Sequence, residues 1–160
     1  MATPTDVVRS LIQDKPLFQS DSVYCDGSET VAQVQYFPVI GSTVTVTPDL
    51  GTITYTIDEQ NGVLTFSEAP SGTYTINYKH VLLLDEDIEN FFSIEGPDAD
   101  IRLCAADALD AIASSQALIL KKIKLLDLQT DGPAVADSLR KHAKELRAQV
   151  LSADYEESYF

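Results

Sequence analysis

The side chains able to do chemistry are few and far apart. Two histidines, His80 and His142, and two cysteines, Cys25 and Cys104, stand alone in the sequence, whereas a metal centre needs several such ligands at close spacing. Each histidine therefore reads as a packed or solvated structural residue. Cys104 falls among alanines on an apolar helical stripe, where a thiol behaves as a small hydrophobe. Cys25 lies beside Asp26 and Gly27, with no nearby base to activate it as a nucleophile. Asp85, Glu86, Asp87 and Glu89 cluster and could hold a hard cation. They lack the alternating oxygen ligands and central glycine of a calcium loop, however, and acidic residues at a helix start complement the helix dipole. Asp98 and Asp100 likewise fit a helix start better than a hydrolytic carboxylate pair. The glycines occur singly, in turns, so no phosphate-cradling loop is present. The expectation is a protein that is not an enzyme and uses no cofactor or metal. A cryptic acidic metal site is the catalytic alternative, testable by titration with magnesium or manganese.

Three zones must carry these residues. Near the start, Thr3 can cap a helix, Pro4 suits its first position and Asp6 its first turn. Val7, Val8, Leu11 and Ile12 then recur at helical spacing, and Pro16 ends the segment. From 18 to 81 the period changes to two. Val44, Val46, Ile53, Tyr55, Ile57, Val63, Phe66, Tyr74, Ile76 and Tyr78 largely alternate with polar residues, the pattern of half-buried strands. Turn chemistry separates them at Pro48-Asp49-Leu50-Gly51, Glu59-Gln60-Asn61-Gly62 and Ala69-Pro70-Ser71-Gly72. Asn61-Gly62 is a hairpin signal, because both residues tolerate positive φ.

Helix returns after residue 82. Asp85 can cap a short segment through Ile88, Phe91 and Phe92, and Gly96-Pro97-Asp98 breaks and recaps the chain. Cys104, Ala105, Ala108, Leu109, Ile112 and Ala113 form one stripe at spacings of three and four, whose alanines imply close helix–helix approach. A last helix follows Thr130-Asp131-Gly132-Pro133, with Val135, Leu139, Ala143, Leu146 and Val150 inward and Arg140, Lys141, Lys144 and Arg147 outward. The fold class predicted from these patterns is α+β: an α-helical bundle, residues 1–17 and 82–152, with an inserted small antiparallel β-domain, residues 18–81, and an extended C-terminal tail, residues 153–160.

Composition narrows the function classes. The 160 residues carry 25 acidic and 11 basic side chains, a net charge of −14, which argues against a role built on neutralising phosphates. No apolar run approaches the ~20 residues of a spanning helix, and the opening residues lack the order of a secretory signal, so a soluble chain made inside the cell is expected. Residues 1–100 hold 16 acids and 3 bases, residues 101–150 hold 6 acids and 8 bases. Such asymmetry suits a surface with an electrostatic task, or simply a soluble one.

The stretch Gly62-Val63-Leu64-Thr65-Phe66-Ser67-Glu68-Ala69-Pro70-Ser71-Gly72-Thr73-Tyr74-Thr75-Ile76-Asn77-Tyr78 resembles a hairpin found in virion proteins of tailed bacteriophages. It leads into Leu84-Asp85-Glu86-Asp87-Ile88, an Ala-rich helix over 100–115, Lys122-Ile123-Lys124, then Asp131-Gly132-Pro133-Ala134-Val135-Ala136 and the closing amphipathic helix. That order resembles the head–tail connector adaptor family of phage necks, over about residues 62–148, with residues 7–12 similar to the family's first helix. Residues 18–60 have no counterpart in the resemblance.

The resemblance implies a structural virion protein of the neck, present in the host cytoplasm during assembly. Copies would dock under the portal protein as a ring, a dodecamer in the family's usual form, and extend the DNA channel toward a downstream neck or tail-completion protein. DNA would pass through without specific binding, and an excess of acid suits a wall along which DNA slides. Lys121, Lys124, Arg140, Lys144 and Arg147 would then meet an acidic neighbouring subunit, a heterologous contact that closes a ring. In related adaptors the C-terminal segment reaches toward the portal. Tyr155, Tyr159 and Phe160 are the expected portal-binding residues, since aromatic side chains supply large contact area. The alternative is a binding module of a tail tip or capsid decoration protein, recognising sugar or a host surface through Tyr24, Tyr36, Phe37 and Tyr55. Against it, alternation places Tyr55, Tyr74 and Tyr78 on one face, more often core than platform.

Overall fold

The computed structural model describes residues 1–96, 98–125 and 132–157, without the side chains at 116, 117, 123–125 and 154–157. The chain divides into two compact units, residues 1–14 with 85–160, and residues 15–84.

The second unit is built from six strands: β1 (Leu17–Asp26), β2 (Val31–Gln33), β3 (Thr45–Thr47), β4 (Tyr55–Asp58), β5 (Val63–Phe66) and β6 (Ser71–His80). They form two antiparallel three-stranded sheets, ordered β1-β6-β3 and β2-β5-β4. Asn61-Gly62 makes the expected turn between β4 and β5. Gly62 takes φ 64°, its N–H donates to the Asp58 carbonyl at 2.8 Å, and the Asn61 amide donates to the Asp58 carboxylate at 2.9 Å. The hairpin expected over 62–78 does not form, because β5 and β6 belong to different sheets. Pro70, fully buried, and Gly72, at φ 121°, carry the chain from one sheet to the other. Both sheets contribute to one core, in which Leu64 and Phe66 of β5 join Ile76 and Tyr78 of β6, with Val34, Val39 and Val44 from the connections.

The first unit is helical: α1 (Pro4–Ile12), α2 (Asp85–Glu95), α3 (Ile101–Ser114), α4 (Gln116–Leu125) and α5 (Gly132–Glu157). Thr3 and Asp6 close a capping box at the start of α1: the Asp6 N–H donates to Thr3 Oγ1 at 3.2 Å, and the Thr3 N–H to the Asp6 carboxylate at 2.8 Å. The helix ends at left-handed Gln13, φ 58°, before Pro16 is reached. Asp100 caps α3, accepting from the Arg102 N–H at 2.8 Å. In α3, Cys104, Ala105, Ala106, Ala108, Leu109, Ile112 and Ala113 are all buried, and α1, α2, α4 and α5 all contact this helix.

An α-helical bundle with an inserted small antiparallel β-domain is therefore not the architecture. The chain is a mixed α+β protein of five described helices and two small sheets. Alanines on more than one side of α3 let neighbours approach it closely, so helices of nine to 26 residues pack onto α3 instead of sharing a bundle axis. The alternation seen in the sequence is shared between two sheets that face each other. At the C-terminus α5 runs to Glu157, into the segment expected to be an extended tail. Leu151, Ala153, Glu156 and Glu157 include no helix stop signal and favour continuation. Among the described residues, no helix is long and apolar enough to cross a membrane.

Candidate functional site

The candidate site residues belong to the helical unit, and its ionic contacts decide which are available. On α5, Val135, Leu139, Ala143, Leu146 and Val150 are buried, so the 3.6-residue period turns Lys141 and Lys144 to solvent. Arg140 and Arg147 flank that apolar stripe and reach α3. Arg147 grips two carboxylates, with Nη2 at 2.8 Å from Asp107 and Nη1 at 2.7 Å from Asp110. Arg140 donates to the Ala113 carbonyl at 3.3 Å and lies 3.5 Å from Asp137. Glu95, at the end of α2, shares a hydrogen bond with Asp107; that bond, then burial and the Asp107 charge, raise its carboxyl pKa.

On α4, Lys121 is half-buried, and burial pushes its ammonium down to about 8 although Asp14 pulls the other way. The five basic residues expected to form one contact surface therefore divide. Lys121 lies near Asp14, Arg140 and Arg147 line the α3–α5 seam, and Lys144 is exposed. The Lys124 side chain is outside the described residues. So are the Tyr155 side chain and the whole of Tyr159 and Phe160.

Two groupings escaped the sequence reading. Arg9, on the α1 face that also buries Val8 and Ile12, donates through Nη1 to Asp14 at 2.8 Å, and through Nε and Nη2 to Asp85 Oδ1 at 3.1 and 2.6 Å. Asp85 thus joins α1 to α2. Lys122 is buried, 6% exposed, with Nζ donating to the Ile12 carbonyl at 3.2 Å. A cation at the last carbonyls of α1 satisfies acceptors that the helix leaves open. The available signals were positional: Arg9 adjoins buried Val8, and Lys122 follows Ile119 by three residues on one face of α4.

The two histidines and two cysteines differ in their surroundings. His80, buried in β6, stacks on Tyr36 with centroids 5.0 Å apart. His142 is exposed, with Nδ1 4.0 Å from Glu145. The Cys104 thiol is raised to about 11 by burial and then by the Glu95 and Asp107 charges, and Cys25 is raised by burial and by Asp26 and Glu29. Among the described residues no group of three or more His, Cys, Asp or Glu side chains can hold a metal ion. Of the four aromatics expected to form a recognition surface, Tyr55 and Tyr36 are engaged within the unit. Tyr55 donates to the Val44 carbonyl at 3.1 Å and meets Phe66 edge-on, Tyr36 stacks on His80, while Tyr24 is 76% exposed and Phe37 40%. Comparison with protein-family models, with curated proteins and with solved structures finds no match to this chain.

Proposed function

We propose that this protein is a structural virion component, a head-to-tail adaptor that docks beneath a phage portal as a ring and extends the DNA channel. The order of sequence motifs from residue 84 to 148 supports this reading, the stretch before it forming β5 and β6 of separate sheets and not the hairpin of the resemblance. The observation that carries it furthest is the α5 surface. In a chain of net charge −14, Lys141 and Lys144 stand exposed in the outward stripe of a 26-residue helix, with Arg140 half-exposed beside them. Opposite signs on different faces of one subunit suit a head-to-tail contact that repeats around a ring, and acid elsewhere suits a wall that repels phosphate. The ring neighbour, the portal above and a tail-completion protein below are the partners in this reading.

Deleting residues 154–160 tests the portal contact. The truncated chain should retain its thermal melt and fail to co-sediment with portal rings. Unchanged co-sedimentation would reject Tyr155, Tyr159 and Phe160 as the portal-binding residues. A second reading, a surface-recognition module, is favoured by one observation: Tyr24 and Phe18 are 76% and 66% exposed on β1. Exposed aromatic faces accept sugar rings. Binding to a glycan panel that Tyr24→Ala abolishes would favour this reading over the adaptor.

A further inference from the structure

β1 is an edge strand of unusual regularity. β6 pairs with it along all ten residues, from Leu17 opposite His80 to Asp26 opposite Ser71, and among the described residues no strand lies on its other side. Every second residue of such a strand turns its N–H and C=O outward. Long edges are normally blunted by lysine, proline, a bulge or an inward-pointing charge; β1 has no lysine, proline or bulge, and its inward charge is already hydrogen-bonded within the same subunit. Of the two charges within its span, Asp26 is exposed at the strand's end and Asp21 points toward the core side. There its Oδ2 accepts from the Tyr78 hydroxyl at 2.8 Å and from the Gln35 N–H at 2.7 Å.

The other face of the strand carries no carboxylate between Phe18 and Tyr24. Phe18, Ser20, Ser22 and Tyr24 are all exposed, with Thr75 and Asn77 of β6 beside them. In a chain of net charge −14, this is a surface that a second, equally acidic copy can approach.

We propose that β1 is a self-association edge, on which two copies pair β1 to β1 antiparallel to make one six-stranded sheet. Side-chain chemistry selects the register. Slipping by one residue would place inward residues against outward ones. Centring on Asp21 would set two carboxylates directly opposite each other, which is destabilising. Centring on Ser22 avoids both, pairing residues 18–26 of each copy, with Asp21 opposite Val23 and Ser20 opposite Tyr24 of the second copy. It also brings Asp26 of the second copy to one side of Phe18, with Lys79 on the other. Those two residues are two strand spacings apart, about 10 Å, a span their side chains can narrow, and symmetry makes this oppositely charged pair twice. The contact is isologous, so it closes a pair and does not propagate into a head-to-tail ring. It describes the free chain and stands independently of the adaptor reading.

Cysteine crosslinking of the full chain in a Cys25→Ser background tests it. At the two-fold, opposing Cα atoms lie within about 4.5–5.5 Å, inside disulfide range. Ser22→Cys should therefore form a covalent dimer on mild oxidation. Ser20→Cys, whose two copies would be about 13 Å apart, should not. In sedimentation velocity the parent chain should dimerise with rising concentration, and Ser22→Lys should weaken the dimer up to about fivefold by opposing two cations. Higher salt should strengthen the dimer by screening the net charge, whereas it should weaken the ring contact proposed above. A chain that is monomeric throughout, or crosslinks equally at Ser20→Cys, overturns the proposal.

Discussion

Arg9 and Asp14 form a 2.8 Å ion pair from which solvent is almost excluded, their side chains 8% and 3% exposed. Desolvating two charges is costly, and such a pair holds geometry more than it adds stability. Here Arg9 also reaches Asp85 at 2.6 Å, so one guanidinium fixes the end of α1 against the start of α2. Removing Arg9 alone leaves the Asp14 carboxylate buried. Arg9→Met should cost about 3 kcal/mol in urea denaturation, and adding Asp14→Leu should recover most of that loss. A single variant as stable as the parent would show that the pair does not organise α1.

Tyr78 and Asp21 play the corresponding part in the strand unit. The buried Tyr78 hydroxyl donates to Asp21 at 2.8 Å and accepts the Tyr36 N–H at 3.2 Å. Burial, then the Asp21 hydrogen bond, push the phenol well above its ordinary range. Tyr78→Phe should cost about 1–3 kcal/mol, because two polar partners lose the hydroxyl. In an absorbance titration of the parent, one tyrosine should resist ionisation until the protein unfolds, and Tyr78→Phe should abolish that late step.

Close approach to α3 depends on Ala105 and Ala108, both 0% exposed. Ala105→Leu or Ala108→Leu should destabilise by about 1–3 kcal/mol through overpacking, while Ala148→Leu on the exposed side of α5 should change stability by less than about 0.5 kcal/mol. Chemical denaturation of the three variants separates these effects.

Lys121 gives a pH signature. Its folded pKa is held down to about 8 by burial, whereas an unfolded lysine keeps its proton to about 10.4. Between those values the unfolded chain binds more protons, so this residue makes stability rise with pH. Lys121→Met removes that rise. The variant should melt higher than the parent at about pH 7 and lose its advantage by about pH 10.4. A gap that does not change with pH would contradict the burial of this ammonium.

What the sequence made legible follows the reach of local rules. Thr3, Pro4 and Asp6 announce the start of α1 because a helix cap is set within one turn, and Asn61-Gly62 announces its hairpin because a two-strand turn is equally local. The apolar period of α5 placed Val135 through Val150 correctly for the same reason. Strand partnership was not legible: β5 and β6 are consecutive and look like a hairpin, yet pair in different sheets, since pairing depends on residues far away in the chain. The architecture failed for a related reason. Alanine spacing signals close packing without saying how many helices share it, and α3 takes four. At the candidate site, Lys121, Arg140, Lys144 and Arg147 were legible as charges, but their intrachain contacts were not, so Arg147 between Asp107 and Asp110 could not be foreseen.

Electron microscopy of the purified chain, imaged alone and after incubation with portal rings, tests the central claim most directly. The adaptor reading expects a collar of this protein stacked on one face of the portal, continuous with its channel. Portal rings that remain bare at saturating concentrations of this protein would contradict it.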